Sequence, residues 1–287
     1  MVIKNLSTKM VKKFIPSRKT NSRKGDNGTV IVIGGSHIYH GAPILASLAA
    51  LRSGSDLVYT IIPKINIQST RSVSPNLIVI PLADQKLTRG TVTKLLGQIP
   101  KKCDSATIGM GLAVQDVNAL KYLVESLANQ DIRISLDASA LVPAILDVAS
   151  NKNVVVTPHA GEFKRLFGEV PPERKNERIR TVERHAKDNG ITVLLKGSTD
   201  IISDGKTTYL NQKRVPAMTV GGTGDVLSGL VAGILARNRK ALESASAAAH
   251  INGLTGMYVQ KQLGLHMTSM DLIDVIPKVM KPFDKIV

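Results

Sequence analysis

The clearest chemical signature in the chain is Val220-Gly221-Gly222-Thr223-Gly224-Asp225, at the head of an apolar run over 226–236. Glycines where a helix begins leave backbone N–H groups uncovered, and the aligned peptide dipoles add about half a positive charge there. The pattern predicts an anion hole at Gly222, Thr223 and Gly224 that needs no cationic side chain. Asp225 follows in the first helical turn, where the same dipole is expected to lower its pKa and keep it ionised. A carboxylate so placed can accept the proton of a hydroxyl that attacks a bound phosphate, as general-base phosphoryl transfer requires. The plainer reading is an acidic residue stabilising the helix it starts, with glycines that permit close packing. The segment is not a phosphate loop of the Gly-Lys-Ser/Thr type, because no Lys stands at the required spacing.

Other polar groups gather where strands are predicted to end. Lys196-Gly197-Ser198-Thr199-Asp200 closes one of them. A Lys ending a buried strand is costly unless it reaches solvent or an anion, so a contact to a nucleotide phosphate or ribose is expected. Thr157-Pro158-His159-Ala160-Gly161-Glu162 follows another strand and sets an imidazole beside a carboxylate; a solvated loop His fits that position equally well. Gly34-Gly35-Ser36, Gly41-Ala42-Pro43, Gly109-Met110-Gly111 and Asp137 mark further strand ends and the start of the next helix. Glycines there are more often turn formers than phosphate cradles. His37 and His40 have no further ligand near them in sequence, so no metal site is expected from them.

What must position these groups is an open sheet. Short β-branched runs at 29–34, 57–62, 77–81, 132–137, 153–158 and 191–197, with one more strand around Thr107, alternate with helical stretches at 42–52, 88–96, 114–129, 140–149 and 176–189. Several of the strands are apolar on both faces, the pattern of parallel strands covered by helices on each side. Ser203-Asp204-Gly205 predicts a hairpin between 201–203 and 206–210, and helices at 223–236, 241–262 and 268–280 follow. The expected fold class is α/β, a three-layer αβα arrangement with a central, mostly parallel sheet. In such sheets ligands bind outside the carboxyl ends of the strands. One domain over 25–287 is expected, preceded by a basic extension over 1–24.

Charge narrows the partners less than it first suggests. Lys and Arg number 38 against 22 Asp and Glu, a net charge of +16, and the isoelectric point is about 10.0. Such a field attracts nucleic acid, acidic lipid and phosphorylated small molecules alike. Aromatic residues make up only 3% and Trp is absent, so stacking platforms for single-stranded nucleic acid are scarce. Eight of the cations fall in the first 24 residues. Cys103 is the single cysteine, which excludes an intramolecular disulfide and fits a reducing compartment. The longest near-apolar run, 226–236, is shorter than the ~20 residues that span a bilayer, and the basic N-terminus lacks the apolar core of a secretory signal. The expectation is a cytoplasmic protein with no membrane partner and no specific nucleic-acid partner.

Taken in order, Lys24-Gly25-Asp26-Asn27-Gly28, Ile33-Gly34-Gly35-Ser36, Gly41-Ala42-Pro43, Ala49-Ala50-Leu51-Arg52-Ser53-Gly54, Leu136-Asp137-Ala138, the Thr157 to Glu162 motif, Lys196-Gly197 and the run from Gly221 to Gly229 form a joint pattern. On these motifs the chain resembles the ADP-dependent NAD(P)H-hydrate dehydratases. The resemblance implies a ribokinase-like fold and repair of a damaged cofactor. The (6S) form of hydrated NADH or NADPH carries a hydroxyl on C6 of the nicotinamide ring, and the family removes it with ADP as phosphate donor, giving AMP and phosphate. The resemblance also implies the roles of individual residues. The hydrated nicotinamide falls on Ala42, Gly111, His159 and Asp225, and the nucleotide on Lys196, Gly197, Ser198, Thr199, Asp200 and Gly224. Asp225 is the implied catalytic base, Gly222, Thr223 and Gly224 hold the transferred group, and Glu162 lies near Mg2+. A homo-oligomer, by resemblance a tetramer, is expected. Many relatives carry an additional N-terminal epimerase domain, which the two dozen or so residues ahead of the match do not accommodate. Two other readings compete: a ribokinase-like kinase acting on a small-molecule hydroxyl, and a non-catalytic nucleic-acid binder. The Thr157 to Glu162 motif with Gly41-Ala42-Pro43 favours the dehydratase.

Overall fold

The computed structural model describes residues 2–150 and 153–287. Ten strands form one sheet: β1 (Val2–Asn5), β2 (Thr29–Ile33), β3 (Leu57–Pro63), β4 (Ile78–Leu82), β5 (Ser105–Ile108), β6 (Arg133–Leu136), β7 (Val155–Val156), β8 (Thr192–Leu195), β9 (Asp200–Ser203) and β10 (Thr207–Asn211). Their order across the sheet is β1-β10-β9-β8-β7-β6-β5-β2-β3-β4. Only β9 runs against the rest, because it is the first arm of the hairpin closed at Ser203-Asp204-Gly205. That turn is held by Asp204 Oδ1, which accepts from the amides of Lys206 at 2.8 Å and Thr207 at 2.7 Å. Gly205 has φ +82°, and a Cβ there would lie 2.5 Å from Lys187 Cβ, so no other residue fits.

The helices are α1 (Thr8–Phe14), α2 (Gly41–Arg52), α3 (Ile67–Val73), α4 (Arg89–Leu96), α5 (Val117–Ala128), α6 (Leu146–Ala149), α7 (Ala160–Phe167), α8 (Lys175–Asn189), α9 (Thr223–Asn238), α10 (Ala241–Leu263) and α11 (Ser269–Met280). Successive strand residues feed opposite layers. Ile31, Ile33, Val193 and Leu195 pack with Leu95, Leu123, Phe163 and Val182 from α4, α5, α7 and α8. Val30 and Val32 face Ala46, Ala50 and Ala232 of α2 and α9, while Leu194 and Ile202 face Leu230 and Ile251 of α9 and α10. With both faces covered, every residue of β2 is buried, which accounts for the absence of polar alternation in its sequence. The chain therefore has the expected three-layer αβα, ribokinase-like architecture. Gly229 and Gly233 let α9 lie directly on α2: a Cβ at Gly229 would stand 2.0 Å from the Ala46 carbonyl oxygen. None of the helices described is long and apolar enough to cross a membrane.

Two stretches depart from expectation. The helix expected over 140–149 is broken into 3-10 turns at Ala138–Ala140 and Pro143–Ile145 followed by α6, since Pro143 donates no amide and disfavours helical geometry at Val142. The basic N-terminal stretch is also more than an extension ahead of the fold. β1 pairs with β10 in parallel, and α1 with its cap buries Val11, Phe14 and Ile15, spaced i, i+3, i+4 as on the inner face of any amphipathic helix. Phe14 meets the ring of Tyr209 edge-on at 5.7 Å. Beyond it, Arg18 N donates to Lys285 O at 2.8 Å and Val287 N to Arg18 O at 3.0 Å. The eight cations had hidden a short apolar stripe.

Candidate active site

The carboxyl ends of β6, β7 and β8 deliver side chains toward the start of α9. The cap of that helix, Gly222, has φ +91° and no side chain caps the amides that follow. A Cβ at Gly222 would sit 2.6 Å from Ser269 Oγ and 2.7 Å from Leu45 Cδ1, so the residue must be glycine on grounds of conformation and of space. Val226 N makes the first intrahelical bond, to Gly222 O at 3.1 Å. The amides of Thr223, Gly224 and Asp225 stand ahead of it, in the position from which helix starts hold anions. The Thr223 hydroxyl turns back, donating to Met218 O at 3.1 Å, and braces the loop entering the helix.

Behind the helix start lies a buried set of charges. Asp137, 2% exposed at the end of β6, accepts from Lys196 Nζ at 3.0 Å and from Ser228 Oγ, one turn along α9, at 2.5 Å. Lys196 Nζ is also 3.5 Å from Glu162 Oε2. Burial alone would lower the lysine's pKa, but the Asp137 and Glu162 carboxylates outweigh it and the pKa is raised. The anion that Lys196 was expected to reach is thus, in part, the protein's own. Gly224 keeps the space above the ammonium open, since a Cβ there would be 3.6 Å from Nζ.

This cluster reverses the expectation for Asp225. Its carboxyl is pushed up to about 7, first by burial and then by the neighbouring Asp137 and Glu162 charges, with Lys196 opposing. Desolvation and two nearby anions outweigh the helix dipole that was expected to hold the pKa down. An acid with a pKa near 7 exchanges protons readily at neutral pH, which is the condition for a general base.

His159 is exposed but is more than a solvated loop residue: it caps α7. Nδ1 accepts from Gly161 N at 3.0 Å and Glu162 N at 3.2 Å, and Glu162 Oε2 accepts from His159 N at 2.9 Å. With Nδ1 used as an acceptor, the neutral ring carries its proton on Nε2, and the exposed edge of the imidazole lines the cavity described below. Ala42 and Gly111 come together elsewhere and do not line that cavity. Gly111 has φ +66°, and a Cβ on it would lie 2.6 Å from Tyr39 Cβ and 3.6 Å from Ala42 Cβ. One turn along α2 from Ala42, Leu45 touches the Gly222 position, so this pair and the cavity share the α9 start.

A cavity of about 680 Å³ opens beside Gly224. His159, Lys196, Gly197, Ser198, Asp200, Thr223 and Gly224 line it, and so do Lys213, Arg214, Thr219, Asn252 and Gly253. Asp200 shapes its rim: Oδ1 accepts from Gly197 N at 3.1 Å and Oδ2 from Asn211 Nδ2 at 3.0 Å. Burial pushes its carboxyl up to about 6 against those two hydrogen bonds. Thr199 belongs to the same turn but does not line the cavity. Among the described residues no group of three or more His, Cys, Asp or Glu side chains could hold a metal ion by itself.

Sequence reasoning marked Asp137 as a strand-end residue but assigned no site role to it or to Ser228, Lys213 and Arg214. A carboxylate closing a largely buried strand was a usable signal for Asp137, because such a group survives burial only with a partner. Adjacent cations directly after β10, in a loop leading to the glycine-rich helix, were the corresponding signal for Lys213 and Arg214.

The layers, the strand order and the helix-start cradle define a ribokinase-like α/β protein. A model of the NAD(P)H-hydrate dehydratase family matches residues 30–278, and the chain belongs to that family. It is 73% identical over 286 residues, covering 100% of both chains, to the ADP-dependent (S)-NAD(P)H-hydrate dehydratase of Nitrosopumilus maritimus. It is 65% identical, over 96% of each chain, to the protein of the same description from Cenarchaeum symbiosum. Among solved structures it is similar to the ADP/ATP-dependent NAD(P)H-hydrate dehydratase of Bacillus subtilis co-crystallised with ATP and Mg2+, with TM-score 0.85, 26% identity, and 99% of this chain and 100% of that one covered.

Proposed function

We propose that the protein restores NADH and NADPH from their (6S)-hydrates by phosphorylating the C6 hydroxyl with ADP and then eliminating phosphate. The observation that carries this reading is the Asp225 carboxyl, with a pKa of about 7, placed at the uncapped start of α9. The 73% identity to a protein described as an ADP-dependent dehydratase supports the substrate.

The chemistry follows from leaving-group energetics. Hydroxide departs poorly because the pKa of water is about 15.7, whereas phosphate, with a second pKa near 6, departs readily. Asp225 accepts the hydroxyl proton, the C6 oxygen attacks the β-phosphorus of ADP, and the bond from that phosphorus to the AMP oxygen breaks. The amides of Thr223 and Gly224 stabilise the charge on the transferred group. In the second step the C6–O bond breaks, phosphate leaves, and loss of a proton from the adjacent ring carbon restores the double bond. In this reading Ala42, Gly111 and His159 border the nicotinamide, and Lys196, Gly197, Ser198, Thr199, Asp200 and Gly224 border the nucleotide. Lys196 also pairs with Asp137 and Glu162 next to Asp225.

Mg2+ fits this site as a passenger on the nucleotide. It typically takes one or two protein carboxylates plus phosphate oxygens and waters, and Glu162, 3.5 Å from Lys196 Nζ on the cavity wall, would supply such a carboxylate. When bound, the ion neutralises diphosphate charge. The same reading takes the protein to be cytoplasmic, homo-oligomeric (a tetramer) and without a specific nucleic-acid partner. The lone thiol, Cys103, fits a reducing compartment: burial, then Asp104, pushes its pKa up to about 12, so it stays protonated.

The test is incubation with hydrated NADH, Mg2+ and either ADP or ATP. The expected outcome is recovery of the near-ultraviolet absorbance of NADH, with one AMP and one phosphate formed from ADP per NADH. A stable phosphorylated product with no NADH would mark a kinase and overturn the dehydratase reading.

A further inference from the structure

The cavity beside Gly224 has an outer wall that the reaction as described leaves without a role. Lys213 and Arg214 line it, on the loop between β10 and α9. Neither makes an ion pair or a hydrogen bond with any described residue. The charge effect recorded for Lys213 is a repulsive one: after burial, its ammonium is the second cause that pushes the imidazole of His250 down to about 4. The aliphatic stem of Lys213 is fixed, for a Cβ at Gly253 would meet Lys213 Cβ at 2.6 Å and Cγ at 2.7 Å. The loop is anchored as well, through Asn211 Nδ2 to Ala249 O at 3.0 Å and Gln212 Nε2 to Asn5 Oδ1 at 3.0 Å. On the same wall Asn252, 6% exposed, keeps its Oδ1 without a hydrogen-bond partner. Two cations on an anchored wall, with no counter-ion among the described residues, fit an anionic ligand, and the buried Asn252 oxygen beside them fits one that also carries a hydrogen-bond donor.

We propose that Lys213 and Arg214 hold the α-phosphate of the nucleotide, the phosphate that stays behind on AMP; this rests on the reading of the cavity as the nucleotide site. The inner end of the cavity, at Gly224 and Lys196, takes the β-phosphoryl group that is transferred. The outer cations take the group that gains charge as the β-phosphorus leaves it, because AMP carries one more negative charge on its phosphate than the same phosphate carries inside ADP. Arg214 suits this role by its planar fork and Lys213 by its point charge. The two residues are then specificity determinants for a phosphorylated donor, separate from the amides that hold the transferred group.

The experiment measures binding of ADP, AMP and adenosine to the full chain by calorimetry, for wild type and for the double variant Lys213→Gln, Arg214→Gln. ADP and AMP are expected to bind about tenfold more weakly or worse in the variant, while adenosine changes less than twofold. The charge-preserving pair Lys213→Arg, Arg214→Lys is expected to recover most of the affinity. Unchanged ADP and AMP affinity would overturn the proposal, and so would an equal loss for adenosine, which would put the contact on the base or ribose. The readout needs no turnover. A wild-type protein that binds ADP but restores no NADH would overturn the dehydratase reading, while the difference between AMP and adenosine would still decide the α-phosphate contact.

Discussion

The inner and outer halves of the cleft use charge in opposite ways. Inside, Asp137, Lys196, Glu162 and Asp225 form a desolvated set in which the two carboxylates raise the pKa of Lys196 and, after burial, that of Asp225. Outside, Lys213 is half-buried and Arg214 exposed, with no ion-pair or hydrogen-bond partner among the described residues. The inner charges are tuned by burial, and their energies are large because solvent screens them poorly. The outer charges act at longer range on whatever anion arrives and are screened by salt. A site that both binds a nucleotide and moves a proton at neutral pH needs the two regimes side by side. One fixes pKa and geometry, the other affinity.

The comparison breaks most directly at Asp225. Replacement by Asn is expected to lower the rate of NADH recovery by about 10²- to 10⁴-fold, with ADP affinity within twofold of wild type by calorimetry. A comparable loss of ADP binding would mean that the Asp225 carboxyl itself holds the nucleotide and that proton transfer and binding are not separate tasks. Next in size is Lys196→Met, which leaves Asp137 and Glu162 buried without their cation. Denaturant unfolding should report a loss of about 3–5 kcal/mol, and the remaining activity should require a higher pH, because Asp225 then lacks the one neighbour that lowers its pKa.

A smaller effect follows from the raised pKa itself. The native carboxyl of Asp225 has a pKa of about 7 against a model value of 3.8. Between those values the folded state keeps a proton that the unfolded chain has released. Its contribution is therefore complete below the unfolded pKa and is lost as the pH rises through 7. Asp225→Asn should be more stable than wild type above pH 7, by on the order of 2 kcal/mol, and the gap should close toward pH 4 in thermal unfolding. Equal stability at both ends would show that the carboxyl is not desolvated. Smallest is the effect of salt. Raising ionic strength from roughly 0.05 to 0.5 M should weaken ADP binding several-fold through the outer cations while leaving the pH at which activity rises unmoved. A shift of that pH with salt would place the inner charges in contact with solvent.

How much of this was legible in sequence depends on whether a residue is constrained by its own neighbours or by distant ones. The glycines of the α9 start, the sheet and the hairpin at Asp204-Gly205 were readable because each is set by local conformation and periodicity. The three-layer fold followed from strands without alternation, as in β2. By contrast, the raised pKa of Asp225 depends on Asp137 and Glu162, brought in by β6 and α7 from 88 and 63 residues earlier in the chain, and no local rule places them there. His159 as the cap of α7 was missed because His is an unusual cap and the helix is short. In the N-terminal stretch, Val11, Phe14 and Ile15 do carry a helical spacing, but it covers barely two turns among eight cations. Those residues are part of the molecule's packing, so removing everything before Lys24 would expose Tyr209 and leave β10 as an edge strand paired with β9 alone.

The central claim is that Asp225, lifted toward neutrality by burial and by the Asp137 and Glu162 carboxylates against the pull of Lys196, takes the proton of the C6 hydroxyl. The measurement that tests it most directly is the pH dependence of single-turnover phosphoryl transfer from ADP to hydrated NADH at saturating nucleotide. The account predicts a rate that climbs with pH and levels off above about 7 in the wild type, and a small, pH-independent rate in Asp225→Asn. A wild-type profile already flat from pH 5 upward, or a variant that keeps the same rise, would contradict it.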